Sequence, residues 1–251
     1  MAIILITGAT AGFGKACAEK FAQNGNDLII TGRRQERLND LQTTLEKQYG
    51  IKVLPLAFDV RDQKTVSTVL GGIPENWKKV SVLVNNAGLA AGLSSIEEGD
   101  LNDWEEMIDT NVKGLLYVSR AVIPWLIDQR KGHIINLGSI AGSQVYAKGN
   151  VYCASKAAVA ALSKGMRIDL LPYGIKVTDV QPGAAETEFS LVRFKGNEDK
   201  AKGVYQGLKP LSAEDVADVI YYCATLPPHV CINELEITPL QQASAYYYHR
   251  V

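Results

Sequence analysis

Short apolar runs alternate along this chain with stretches whose apolar residues recur every three to four positions. The first pattern predicts buried strands, the second amphipathic helices. "IILIT" (Ile3 to Thr7) reads as a strand, and a helix is expected from about Phe13 to Asn24, ended by Gly25. "LIIT" from Leu28 is the next strand, and Leu38, Leu41, Leu45 and Tyr49 then repeat at helical spacing before Gly50. "KVLPLAF" and "VSVLVN" (Val80 to Asn85) read as the third and fourth strands. One long helix is expected from about Leu101 to Leu126, followed by "HIINLGS" as a fifth strand. A helix carrying Tyr152, the strand "IKVTDVQPG", a helix with Ser212 as N-cap and a last strand "CINELEITP" complete the pattern. Continuously apolar strands separated by helices imply a parallel sheet covered on both faces. No linker or internal repeat interrupts this order, so 1–251 is read as a single α/β domain. The charged, glycine-containing stretch 188–210 lacks a period and is a candidate lid.

Composition narrows the function classes. A net charge of −1 gives no broad attraction to nucleic acid or an anionic membrane. No apolar run reaches the roughly 18 residues of a membrane span. The start, "MAIILITGAT", has no basic n-region and reads as a strand, not a signal peptide. Cys17, Cys153, Cys223 and Cys231 are scattered and only three histidines occur, so no metal site is expected; reduced thiols in a cytoplasmic protein are the simplest account.

Ligands of such sheets bind beyond the carboxyl ends of the strands. After the first strand comes "TGATAGFG", with glycines at 8, 12 and 14. Glycines there allow a tight turn, close approach of a diphosphate and close helix–strand packing, while the helix N-terminus offers free N–H groups. The second strand ends in "TGRRQERL", with Arg33 and Arg34 where NAD-preferring folds usually carry an acid. Guanidinium groups suit a 2′-phosphate, which points to NADP. Asp59, after the third strand, is placed either to meet an adenine amino group or to cap a helix. Tyr152 and Lys156 lie four apart on one helical face.

Taken in order, T-G-x-x-x-G-x-G at Thr7–Gly14, Asp59-Val60, "NNAG" at 85–88, Asn111, Ser139, Tyr152/Lys156, "PG" at 182–183 and Thr187 resemble the short-chain dehydrogenase/reductase family over almost the whole chain. "GATAGFG", "TGRRQERL", "DWEEMIDTNVKGLLYVSRAV" and "TEFSLVRFKG" are most similar to its NADP-dependent serine, L-allo-threonine and 3-hydroxy acid dehydrogenases, although Ala184-Ala185 is smaller than usual there. The resemblance implies a Rossmann-type doubly wound sheet and hydride transfer between nicotinamide and a carbinol or carbonyl carbon. It implies cofactor contacts from Gly8, Thr10, Gly12, Phe13, Gly14, Arg33, Arg34, Asp59, Val60, Asn86, Ala87, Gly88, Pro182, Gly183 and Thr187. Tyr152 is then the acid–base group, with a pKa lowered from about 10 by Lys156 and oxidised nicotinamide. Lys156 also holds the ribose, Ser139 bonds the substrate oxygen, and Asn111 anchors a water leading to Lys156. Ser139, Gln144, Tyr152, Arg193 and Lys195 are the candidate substrate residues, the two cations being placed to meet a carboxylate. A homotetramer paired through helices near 101–127 and 150–171 is implied as well. A broader carbonyl reductase and a non-catalytic NADP(H) sensor or scaffold are the alternatives; the complete Asn111–Ser139–Tyr152–Lys156 set argues against the latter.

Overall fold

The structure is a computed structural model describing residues 2–251. Seven parallel strands form one sheet in the order β3-β2-β1-β4-β5-β6-β7. They are β1 (Ile3–Ile6), β2 (Asp27–Gly32), β3 (Val53–Ala57), β4 (Val80–Asn85), β5 (Gly132–Leu137), β6 (Ile175–Pro182) and β7 (Glu234–Ile237). Successive side chains of a strand face opposite ways. Ile4 and Ile6 thus enter one core layer with Phe21, Leu38 and Ile220, and Leu5 enters the other with Val122 and Leu170. Both faces are covered, which is why the strands read as unbroken apolar runs.

On the first face lie α1 (Gly12–Gln23), α2 (Gln35–Tyr49) and α9 (Ala213–Thr225). α3 (Gln63–Gly71), α5 (Leu115–Gln129) and α6 (Asn150–Leu170) cover the second. Gly50 ends α2 in the left-handed conformation (φ 67°), and Ser212 and Asp215 close a reciprocal capping box on α9. The order of the sheet reverses between β1 and β4, so the loops after these strands diverge and open a cleft at their carboxyl ends.

Three local features depart from the pattern-based expectation. The long helix is broken into α4 (Leu101–Ile108), a π-helical turn (Asp109–Gly114) and α5. α3 was not anticipated; Asp62 caps it by accepting from Lys64 N and Thr65 N, so Asp59 is not the cap. The stretch 188–210 contains two short helices, α7 (Glu188–Arg193) and α8 (Glu198–Gly203).

Candidate active site

The turn after β1 is built so that backbone faces the cleft. Gly12 has φ +50°, and a Cβ at Gly14 would overlap Gly8 O and Asn86 Nδ2. Asn86 Nδ2 donates to Thr7 O and Gly8 O (2.8 and 3.1 Å), and Thr7 Oγ1 accepts from Asn86 N and Ala87 N (3.0 and 2.9 Å). The ends of β1 and β4 are thereby fastened together. The N-cap of α1 is Ala11, which supplies no side-chain cap, and its first turn carries no acid. Its open N–H groups and positive end potential suit a diphosphate.

Arg33 and Arg34 line the cleft beside Asp59. Arg34 Nη2 donates to Thr10 Oγ1 (2.9 Å) and its Nη1 lies 3.5 Å from Glu188. Arg37 pairs with the same Glu188 at 3.1 Å. Burial would raise the Asp59 carboxyl, but hydrogen bonds and charge from Arg61 outweigh it and hold it below its ordinary value. With glycine backbone at one end and the guanidinium groups of Arg33 and Arg34 at the other, Arg33 lying 4.0 Å from Glu106, the cleft fits a dinucleotide carrying an extra phosphate.

Farther along, Tyr152 and Lys156 are both buried in α6 and both line the cleft with Ser139. Lys156 Nζ donates to Leu137 O (2.7 Å) and lies 6.0 Å from the Tyr152 ring centroid. Ser139 Oγ accepts from Ala141 N (3.1 Å) and donates to Pro182 O (3.3 Å). Burial pushes the Lys156 ammonium down to about 8, against the opposing charge of Asp179. The Tyr152 phenol is pushed up, chiefly by burial, with Ser139 and Arg193 working the other way. The lowering expected from sequence is thus not present in the protein alone, because desolvation outweighs the hydrogen bond of Ser139 and the charge of Arg193.

Asn111 sits in the π-helical turn, and its side chain is occupied by protein. Oδ1 accepts from Leu89 N, and Nδ2 donates to Leu89 O and Ser155 Oγ (2.8, 2.8 and 2.9 Å). Ser155 Oγ in turn donates to Tyr152 O (2.7 Å). The Asn111 side chain thereby fastens the β4 loop to α6, with both amide protons partnered.

Residues 2–197 match the family model described as short chain dehydrogenase. The chain belongs to the short-chain dehydrogenase family. It is 47% identical over 244 residues to the NADP-dependent 3-hydroxy acid dehydrogenase YdfG of Salmonella typhi, covering 97% of each chain. It is 50% identical over 242 residues to sulfoacetaldehyde reductase 2 of Chromohalobacter salexigens, covering 96% of this chain and 95% of the relative. The closed form of a serine dehydrogenase complexed with NADP+ superposes with a TM-score of 0.92 at 46% identity, covering 99% of this chain and 100% of that one.

In this short-chain dehydrogenase the remaining wall of the 580 Å³ cleft comes from segments distant in sequence. Phe189 of α7 packs edge-on against Tyr152, with ring centroids 5.6 Å apart. Arg193 Nε donates to Gly92 O (3.1 Å) and its Nη1 to Tyr146 Oη (2.9 Å), and its guanidinium carbon is 5.7 Å from the Tyr152 ring centroid. Two further expected substrate residues lie elsewhere. Lys195 turns outward to Asp103 and Asp100 (2.9 and 3.6 Å) and does not line the cleft. Gln144 accepts from Ala245 N (2.7 Å) and anchors the C-terminal segment rather than facing the cleft.

That segment supplies residues that the sequence reading missed. Gln242 is buried; its Oε1 accepts from Ala184 N (2.7 Å) and its Nε2 donates to Tyr248 Oη (3.0 Å). Tyr205 Oη donates to Ala185 O (2.7 Å), so the loop after Gly183 is braced from both sides. Tyr146, Tyr205 and Tyr248 all line the cleft. The only sequence signal is the run of tyrosines from Tyr246 to Tyr248.

Proposed function

We propose that this chain is an NADP-dependent oxidoreductase transferring a hydride between nicotinamide and the 3-hydroxyl carbon of a small 3-hydroxy acid, serine and allo-threonine among them. The observation that carries the substrate class is Arg193, a cation placed 5.7 Å from the Tyr152 ring. Of its five N–H groups, Gly92 O takes one and Tyr146 takes another. The others remain for an anionic substrate whose hydroxyl lies at Tyr152. The names of two of the relatives agree in substrate class: a 3-hydroxy acid and serine both carry a carboxylate beside the reacting alcohol.

When bound, NADP supplies or accepts the hydride at C4 of its nicotinamide and, oxidised, adds positive charge near the phenol. Gly8, Thr10, Gly12 and Phe13 would hold its phosphates and Arg33 and Arg34 its 2′-phosphate; Asn86, Ala87, Gly88, Gly183 and Thr187 would flank its nicotinamide half. Tyr152 takes the alcohol proton in oxidation and returns it in reduction. Lys156, held by Leu137 O, offers positive charge beside the phenolate. Ser139, its hydroxyl turned from Pro182 O, donates to the substrate oxygen and stabilises its developing charge. Phe189 and Arg193 bring the 188–210 segment against Tyr152, so we assign it as the lid that excludes water.

A second reading is reduction of a small sulfonate-bearing aldehyde, favoured by the 50% identity to sulfoacetaldehyde reductase 2 and by a guanidinium that accepts either anion. A panel of serine, allo-threonine, 3-hydroxybutyrate, a sulfonate and uncharged alcohols with NADP and NAD tests both. Faster turnover of uncharged alcohols than of every acid would reject the anion reading. We also infer a cytoplasmic homotetramer. The thiols are all free, and Leu101, Ile168 and Leu171 expose apolar side chains on or beside the long helices.

A further inference from the structure

β6 carries an acid that the proposed mechanism leaves unused. Asp179 stands in the middle of a largely buried strand and is 1% exposed. Its Oδ2 accepts from Gln181 Nε2 (2.7 Å), but its Oδ1 has no hydrogen-bond partner. A buried carboxylate with an unsatisfied oxygen is costly unless a cation lies close by. Asp179 packs directly against Gly138, where a Cβ would overlap its carboxylate. One peptide before, Leu137 O receives the ammonium of Lys156. The acid and the lysine thus converge on the same turn at the end of β5, from β6 and from α6.

We propose that Asp179 is the counter-charge of Lys156: a positioning residue that keeps the buried ammonium protonated and seated at Leu137 O. This rests on the role given to Lys156 above. Other charged groups near Asp179 have partners of their own. Arg167, also on α6, donates to Val177 O and Asn233 O (3.2 and 2.8 Å), and Glu234 of β7 pairs with Lys164 at 3.4 Å. The mutual influence has a definite sign. Burial raises the Asp179 carboxyl and lowers the Lys156 ammonium, while each opposes that shift in the other. Gly138 is then explained: any side chain there would displace the carboxylate.

The test reads the titration of Lys156 directly. The full chain is labelled with ¹³Cε-lysine, and the Lys156 resonance is assigned by its loss in Lys156→Arg. Asp179→Asn keeps the shape and the acceptor for Gln181 but removes the charge. It should lower the pH at which Lys156 titrates by about one unit or more, a tenfold loss of proton affinity. Gln181→Leu, which removes the donor holding the carboxylate ionised, should shift it the same way by less. If Asp179→Asn does not fold, Gln181→Leu carries the test. An unchanged Lys156 titration in the folded variant overturns the proposal. The titration needs no turnover, so it stands apart from the functional reading; retention of activity by Tyr152→Phe would reject that reading without moving the lysine resonance.

Discussion

The two walls of the cleft hold their ligands by different means. Along β1, β2 and β4 the surface is largely main chain: positive-φ glycines, the uncapped start of α1, and strand ends fastened by Thr7 and Asn86. The opposite wall is made of side chains from segments far apart: Arg193 bonded to Gly92 and Tyr146, and Gln242 bonded to Ala184 and Tyr248. A main-chain wall is rigid and specified by a few local residues. A side-chain wall exists only while its segments are closed on one another. On this account the first wall sets the cofactor and the second sets the substrate, and variants should separate along the same line.

The largest effect should come where the walls meet. Lys156→Ala removes the cation beside Tyr152 and a ribose contact together, so kcat/KM should fall by about 10³-fold. NADP affinity, read by quenching of protein fluorescence, should fall with it. If binding is lost while single-turnover transfer is normal, the lysine serves only the first wall. On the substrate side, Arg193→Gln should lower kcat/KM for 3-hydroxy acids by about 10–100-fold, the worth of a lost charged hydrogen bond, and leave neutral alcohols nearly unaffected. Equal losses on both substrate types would show that Arg193 merely latches the lid. On the cofactor side, alanine at both Arg33 and Arg34 should weaken NADP binding by about 10–100-fold and NAD binding by less than about threefold. Titration calorimetry with both cofactors checks this, and a native preference for NAD would contradict it. Away from both walls, Ser212→Ala breaks the α9 capping box and should cost about 1 kcal/mol of stability by denaturant melt. Its steady-state constants should not change.

Legibility in the sequence follows the same division. The strands were readable because both faces of the sheet are buried, and the β1 turn because three glycines stand at fixed spacing in a short stretch. The break at Asp109–Gly114 was hidden because apolar residues continue at helical spacing through it. α3 escaped notice because it is nine residues long and buries only Val66 and Leu70. The helices of the lid have six residues each, too few to set up a period. Arg193 and Lys195 stand two apart in one charged stretch, and only the folded chain sends one to Tyr146 and the other to Asp103. The roles of Gln242 and Tyr248 depend on contact with Ala184 and one another across a folded tail, which no local pattern encodes.

The central claim is that the wall-to-wall junction at Tyr152 moves the proton that accompanies hydride transfer. It is tested most directly by single-turnover oxidation of a 3-hydroxy acid with NADP-saturated wild type and Tyr152→Phe, followed by nicotinamide absorbance across pH. Wild-type transfer should quicken as pH rises, because the phenolate is the base. The phenylalanine variant, folded and still binding NADP, should be slower by about 10²-fold or more and should lose that dependence on pH. Near-normal transfer by the variant, with the same pH profile, would mean that Tyr152 only packs against Phe189 and that the proton leaves by another route.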